Sequence, residues 1–169
     1  MKNFTDLTLL NLSVPGVTMS RANEDLFRTP WNMGSQTQMM NMEYGLFGLE
    51  GLIIMLGTND ALQAEYNSDQ FVDDYLTFVR NCKGIEQTSI ATTKYFLISP
   101  VWANESENTV RNSMVRQKVR DVASATGSTY VEGLTLVDHD NRYFDGLHMT
   151  NDGHTLFSER LFDAIGGSI

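Results

Sequence analysis

The stretch LIIMLGTND, residues 52–60, runs from the longest uninterrupted strongly apolar segment of the chain into a glycine-led polar turn. A short apolar run without polar alternation suits a strand covered on both faces, as in a parallel sheet. Two further runs of this kind follow, YFLI at 95–98 and TYV at 129–131, and LTLLNL at 7–12 is a candidate earlier strand. Helical patterns separate them. Residues 69–82 place Phe71, Tyr75, Phe78 and Val79 on one face, with Val72 and Leu76 beside it. Residues 108–126 repeat the pattern with Val110, Met114, Val115, Val119 and Val122, and Gly127 follows as a C-terminal cap. A last helix is expected over 151–165, ending at Gly166-Gly167. Strands alternating with helices predict an α/β fold with a mainly parallel sheet.

The chain has 169 residues, the length of a single domain with helices on both faces of a sheet. At 41% hydrophobic and 20% charged residues it has an ordinary globular composition rather than a disordered one. Twelve Lys+Arg against 21 Asp+Glu leave a net charge of −9, which opposes nucleic-acid phosphates and anionic lipid. Neither nucleic acid nor membrane is therefore expected as a partner. The apolar run at 52–56 is far short of the roughly 20 residues a membrane span needs. Asp6 and Asn11 interrupt the N-terminal stretch where a signal peptide would be apolar, so that stretch reads as mature structure and a cytoplasmic location is the default. The lone Cys82 excludes an internal disulfide framework and a cysteine-cluster zinc site.

In open α/β sheets, working residues collect on loops beyond the carboxyl ends of strands. Two loops stand out. The first is Gly57-Thr58-Asn59-Asp60, where the glycine allows close backbone approach and the Asn59 amide can donate a hydrogen bond into a cleft. The second is YFDGLHMTNDGH, residues 143–154, in which Asp145 and His148 stand three apart on a glycine-containing loop before the last helix. That spacing lets the carboxylate orient the imidazole and hold one ring nitrogen as a general base. Taken alone, the first loop also reads as a generic turn and the second as surface or capping chemistry. Together, with 89 positions between Asn59 and His148, they are far more specific.

The order of apolar strand, GTND, two α/β units, DGLH and C-terminal helix resembles the SGNH (GDSL-like) hydrolases, a family of serine esterases and lipases. LIIMLGTND, the strand ending at Ile98-Ser99-Pro100 and DGLHMTNDGH all look like that family, covering about residues 50–165. The resemblance implies a flavodoxin-like three-layer α/β/α sandwich. It implies that Gly57 and Asn59 match the family's GxND block, with Asn59 lending its amide to the oxyanion hole. Asp145 and His148 match the DxxH block, the acid and base of the triad. The implied reaction is hydrolysis of a small-molecule carboxylic ester, a short acyl or acetyl ester including those on carbohydrate, with no cofactor.

The beginning of the chain departs from the family pattern. No Gly-Asp-Ser occurs anywhere, and NLSVPG, residues 11–16, most resembles the second block, whose glycine, here Gly16, gives a backbone N–H to the oxyanion hole. On that alignment the first strand, its nucleophile and its helix are missing from the domain spanning 1–169. A competing alignment sets the strand at 7–12 beside 52–56 and makes Ser13 the nucleophile. Against it, Leu12 and Asn11 replace the serine's acidic and glycine companions, and no apolar strand remains between 17 and 51. Three readings therefore stand: an esterase using Ser13, direct activation of water by His148 and Asp145, and an impaired homologue that binds or oligomerises. The last would cover an exposed interior sheet edge with a partner or a second copy.

Other features carry plainer readings. Gly45, Gly48 and Gly51 have the wrong spacing for a dinucleotide fingerprint and precede a strand. Asp138, His139, Asp140, Asp145 and His148 could bind a divalent metal, but a solvated acidic loop is the simpler reading and no metal is expected. Met33, Met39, Met40 and Met42 read as gap-filling core residues, and cleft lining is the alternative. His154 and Cys82 read as structural. Gly167-Ser168-Ile169 reads as a frayed helix end rather than a displaced nucleophile block.

Overall fold

Three of the four apolar runs form strands of one parallel sheet. The computed structural model describes residues 11–20, 50–63, 66–86, 93–101, 106–137 and 142–168. Among these, β1 (Gly51–Met55), α1 (Thr58–Ala61), α2 (Ser68–Glu86), β2 (Lys94–Ile98), α3 (Ser106–Thr126), β3 (Thr129–Val131), a 3-10 turn (Gly133–Thr135) and α4 (Asn151–Ile165) follow in chain order. The sheet order is β1-β2-β3. Ile54 stands opposite Leu97, and Ile98 opposite Val131.

Successive residues of a strand point to opposite faces; both faces of the central strand β2 are covered, while Ile53 of β1 is 42% exposed. On one side, Leu52, Ile54, Tyr95 and Leu97 pack with Phe71, Tyr75 and Val79 of α2 and Val115, Val119 and Val122 of α3. On the other, Met55, Phe96, Ile98 and Val131 pack with Phe157, Leu161 and Ile165 of α4. The result is three layers, α2 and α3 over one face and α4 over the other. Coverage on both sides is the physical reason the strands read as continuous apolar runs rather than alternating ones.

α4 spans the expected residues, α2 runs beyond its expected span at both ends, and α3 begins two residues earlier than expected. The Asn67 side chain accepts the backbone N–H groups of Asp69 at 3.1 Å and Gln70 at 3.0 Å, so α2 begins at Ser68. Met114 was expected on the buried stripe of α3 and instead is 47% exposed. Val115, Val119, Val122 and Ala123 already complete a stripe at helical spacing, and Met114 falls outside it. Gly127 takes φ +62°, and the N–H of Ser128 returns to the Ala123 carbonyl, as a glycine-capped helix end requires. Cys82 is buried, and burial pushes its thiol up to about 12, which leaves it inert.

Of the candidate first strand, residues 7–10 lie outside the described residues, and 11–14 belong to no assigned strand or helix. Met33, Met39, Met40, Met42, Gly45, Gly48, Asp138, His139 and Asp140 also lie outside them. Among the described residues, no helix is long and apolar enough to cross a membrane.

The exit of β3 is pinned by Glu132. Its carboxylate accepts from Ser99 Oγ at 3.1 Å and Tyr130 Oη at 2.9 Å, and pairs with Arg116 and Arg120 of α3. Ser99 Oγ also accepts the N–H of Gly133 at 2.9 Å. This brings the chain after β3 directly onto the backbone after β2. A Cβ on Gly133 would fall on the Ser99 carbonyl oxygen and within 3.0 Å of the Pro100 backbone. Backbone atoms cannot move aside as a side chain can. Gly133→Ala is therefore expected to destabilise the fold by roughly 3 kcal/mol. Urea denaturation checks this, with a lowered midpoint at unchanged m-value as the expected result.

Candidate active site

In a parallel sheet the carboxyl ends of all strands lie along one edge; the first loop singled out above leaves from it, and the second is seated against it. Directly after β1, Gly57 takes φ +118°, and a Cβ there would stand 2.6 Å from Val115 Cγ1. The chain can press against α3 at this point only because no side chain intervenes. The turn that follows, α1, presents Asn59 and Asp60. Asn59 Nδ2 donates to the Val17 carbonyl at 2.9 Å. Asp60 is fully buried; Oδ2 accepts the N–H of Met19 and Oδ1 that of Ser20, each at 2.8 Å. Ser20 Oγ donates to Asp74 Oδ2 at 3.3 Å, and Gln70 Nε2 donates to Asp74 Oδ1 at 3.0 Å. Gly16, immediately before this clamped segment, takes φ +74°.

Desolvation pushes the Asp60 carboxyl up to about 6, against the opposing pull of the two backbone N–H donors; the nearby Asp74 adds to the rise. A buried carboxylate is costly unless its oxygens are satisfied by donors, and here both are.

The second loop is closed on itself. Tyr143 and Met149 form an antiparallel bridge, and Thr150 donates to the Arg142 carbonyl through its N–H at 2.8 Å and its hydroxyl at 3.2 Å. Thr150 Oγ1 in turn accepts the N–H of Gly153 and caps α4. A Cβ on Gly153 would stand 2.5 Å from the Arg142 carbonyl oxygen, so glycine is required where the helix meets the loop. Tyr143 and Met149 pack on the cluster that holds Met55, Ile98 and Val131, the last residues of the three strands. The loop is thereby seated at the carboxyl edge.

Within it, Asp145 Oδ1 accepts the N–H of His148 at 2.7 Å and of Leu147 at 3.0 Å, while Oδ2 meets His148 Nδ1 at 2.6 Å. These bonds, from the His148 backbone first and its ring next, hold the Asp145 carboxyl down at about 2. With Nδ1 engaged, His148 Nε2 points away from the carboxylate, and the side chain is 66% exposed. The Phe144 ring stacks on the imidazole, centroids 5.7 Å apart and planes 17° from parallel. Such a pair can take a proton at Nε2 and give it back.

Of the residues the sequence singled out, Asn59 and Gly16 meet through Val17, and Asp145 and His148 form a bonded pair. Ser13 is exposed in the irregular segment before Gly16, and its backbone N–H donates to Asn11 Oδ1 at 2.9 Å. Asp60, Ser20 and Asp74 were not anticipated. The only signal for them was the aspartate that ends GTND, which reads as an ordinary turn residue. Among the described residues, no group of three or more His, Cys, Asp or Glu side chains could hold a metal ion.

A parallel three-layer fold with these two loops on its carboxyl edge defines an acylhydrolase-type scaffold. Residues 3–156 match the GDSL-like lipase/acylhydrolase family, and the chain belongs to that family. The fold is similar to that of a carbohydrate acetylesterase from Sinorhizobium meliloti, with a TM-score of 0.68, 15% identity, and coverage of 91% of this chain and 75% of that one. It is also similar to the aryl esterase of M. smegmatis, with a TM-score of 0.66, 17% identity and coverage of 91% and 75%. A lipase/acylhydrolase from Enterococcus faecalis gives a TM-score of 0.61 at 17% identity, with coverage of 90% and 72%. No curated protein matches the chain.

The raised pKa of Asp60 has a thermodynamic signature. On unfolding, this carboxyl returns from about 6 to its ordinary 3.8. Between those values the unfolded chain loses its proton before the native one does, so rising pH favours unfolding. Native stability should therefore fall by up to about 3 kcal/mol from this group as pH rises from roughly 4 to 6, and level off above. Denaturation of the unmutated chain and of Asp60→Asn across that range checks the sign, since the variant should lack this component of the slope.

Proposed function

We propose that the chain hydrolyses carboxylic esters of small molecules, with short acyl or acetyl groups, including acetyl groups on carbohydrate, as the substrates that suit it. The observation that carries this reading is the Asp145–His148 pair, bonded at 2.6 Å on the carboxyl edge of a sheet whose first described strand delivers Asn59 to the same edge. His148 is the general base, Asp145 orients and charge-balances it, and Asn59 together with the Gly16 N–H stabilises the oxyanion. An amide nitrogen carries two hydrogens, so the Asn59 bond to Val17 leaves one for a substrate oxygen. No cofactor enters the reaction. Family membership supports the reaction class, and the acetylesterase and aryl esterase of similar fold suggest the acyl size.

The nucleophile in this reading is Ser13. Its hydroxyl proton passes to His148 Nε2 as Oγ bonds the acyl carbon, and the carbonyl electrons move onto the oxygen. The alcohol then leaves with the proton from the imidazolium, and water repeats the sequence to release the acid. A second reading has His148 activate water directly. Favouring it, no Gly-Asp-Ser occurs in the chain, and Leu12 and Asn11 stand where the family's serine has its acidic and glycine companions.

Hydrolysis of a short-chain aryl acetate tests the proposal. His148→Ala is expected to lower kcat/KM by about 10³-fold or more, and Asp145→Asn by about 10²- to 10⁴-fold. A loss in Ser13→Ala equal to that in His148→Ala assigns the nucleophile to Ser13; a wild-type rate in Ser13→Ala assigns it to water. A folded wild-type chain with no hydrolysis would overturn the proposal in favour of an impaired homologue that binds or self-associates.

A further inference from the structure

Asp60 is an expensive residue to place where it stands. It is completely buried on a four-residue helical turn, beside buried Ala61 and close to a second buried carboxylate, Asp74. An aliphatic side chain would fill the same space without desolvating a charge. What the carboxylate supplies is two acceptor oxygens with fixed separation, and they meet two successive backbone donors, Met19 and Ser20. The neighbouring Asn59 takes the carbonyl of Val17. Two consecutive residues of α1 thus hold three backbone groups of the segment 17–20. Ser20 is fastened again from α2 through Asp74, itself held by Gln70.

The consequence is mechanical coupling. Asn59 cannot settle in its orientation unless the Val17 carbonyl is in place, and Val17 is placed by the bonds of Asp60 to Met19 and Ser20. Gly16 is one residue further back along the same backbone. We propose that Asp60 is a positioning residue of the oxyanion site, setting the Asn59 amide and the Gly16 N–H through the backbone of residues 17–20. This rests on the reading of Asn59 and Gly16 as oxyanion donors. Asp60 touches no substrate. Asparagine cannot replace it, because its amide nitrogen would face one of the two backbone N–H groups donor to donor.

The coupling is tested by comparing an aryl acetate with the matching thionoacetate, whose sulfur is a poor acceptor for oxyanion donors. A smaller folded fraction lowers both rates equally, whereas misplaced donors lower only the oxygen ester. Asn59→Ala should collapse the oxygen-to-sulfur rate ratio by about 10²- to 10³-fold, and Asp60→Asn should do so to a similar extent, with KM within about threefold of wild type. A collapsed ratio in Asn59→Ala with a wild-type ratio in Asp60→Asn would overturn the proposal and leave the esterase reading intact. A wild-type ratio in Asn59→Ala would instead overturn the oxyanion reading itself.

A measurement without turnover covers an inactive chain or an Asp60→Asn that does not fold. In the unmutated protein, the Asn59 side-chain amide resonance should follow the protonation of the Asp60 carboxyl as pH is lowered. Asp74 of α2 faces Asp60, so its carboxyl resonance is tracked separately; Tyr66 and Tyr75, also close by, stay neutral over this range because burial raises both. An Asn59 amide with no inflection at the Asp60 midpoint would overturn the coupling.

Discussion

The carboxylate of Asp60 is the interaction on which the arrangement of the site depends. It lies fully inside the protein, yet it faces backbone donors 40 and 41 positions away in the chain. Desolvating such a group costs several kcal/mol, and the two charge-assisted bonds offset that only while both donors stay in line. The carboxyl at about 6 records the balance: burial dominates, and the N–H donors recover part of the loss. Each of the two bonds is directional and weakens steeply when its donor moves out of line. The pair therefore specifies one position for residues 17–20 in a way that apolar packing, which tolerates small shifts, would not.

The second loop solves the same problem by local means. Asp145 and His148 need no distant partner, because the carboxylate caps the backbone of the turn that carries the imidazole. The glycines make the close approaches possible: Gly57 against Val115 at the start of one loop, and Gly153 against Arg142 at the end of the other. The parallel sheet does the rest. Because β1, β2 and β3 run the same way, their last residues form a common floor, and Tyr143 and Met149 rest on it. Catalytic groups built on such a floor keep their spacing through the sheet rather than through contact with one another.

How much of this could be read in the sequence depended on how local the cause was. Apolar strands leave an uninterrupted apolar run, so 52–56, 95–98 and 129–131 were legible and with them the parallel α/β sheet, while the three-layer arrangement came from the family resemblance. The Asp145–His148 pair was legible because a three-residue spacing within one turn nearly determines its geometry. Met114 was misplaced because a methionine beside a valine stripe looks the same whichever residue faces inward. The role of Asp60 was not legible at all. An acid at the end of a polar turn ordinarily faces water, and the partners that bury it, Met19 and Ser20, carry no side-chain pattern that points back to it.

The central claim is that the turn after β1 and the loop before α4 serve one reaction, with Asn59 acting on charge that appears only as the acyl carbon is attacked. Steady-state hydrolysis of a short aryl acetate by Asn59→Ala tests it most directly. The account predicts that kcat falls by about 10²- to 10³-fold while KM stays within about threefold of wild type, because the lost bond exists in the transition state and not in the bound ester. An unchanged kcat, or a loss carried by KM alone in a folded variant, would contradict it.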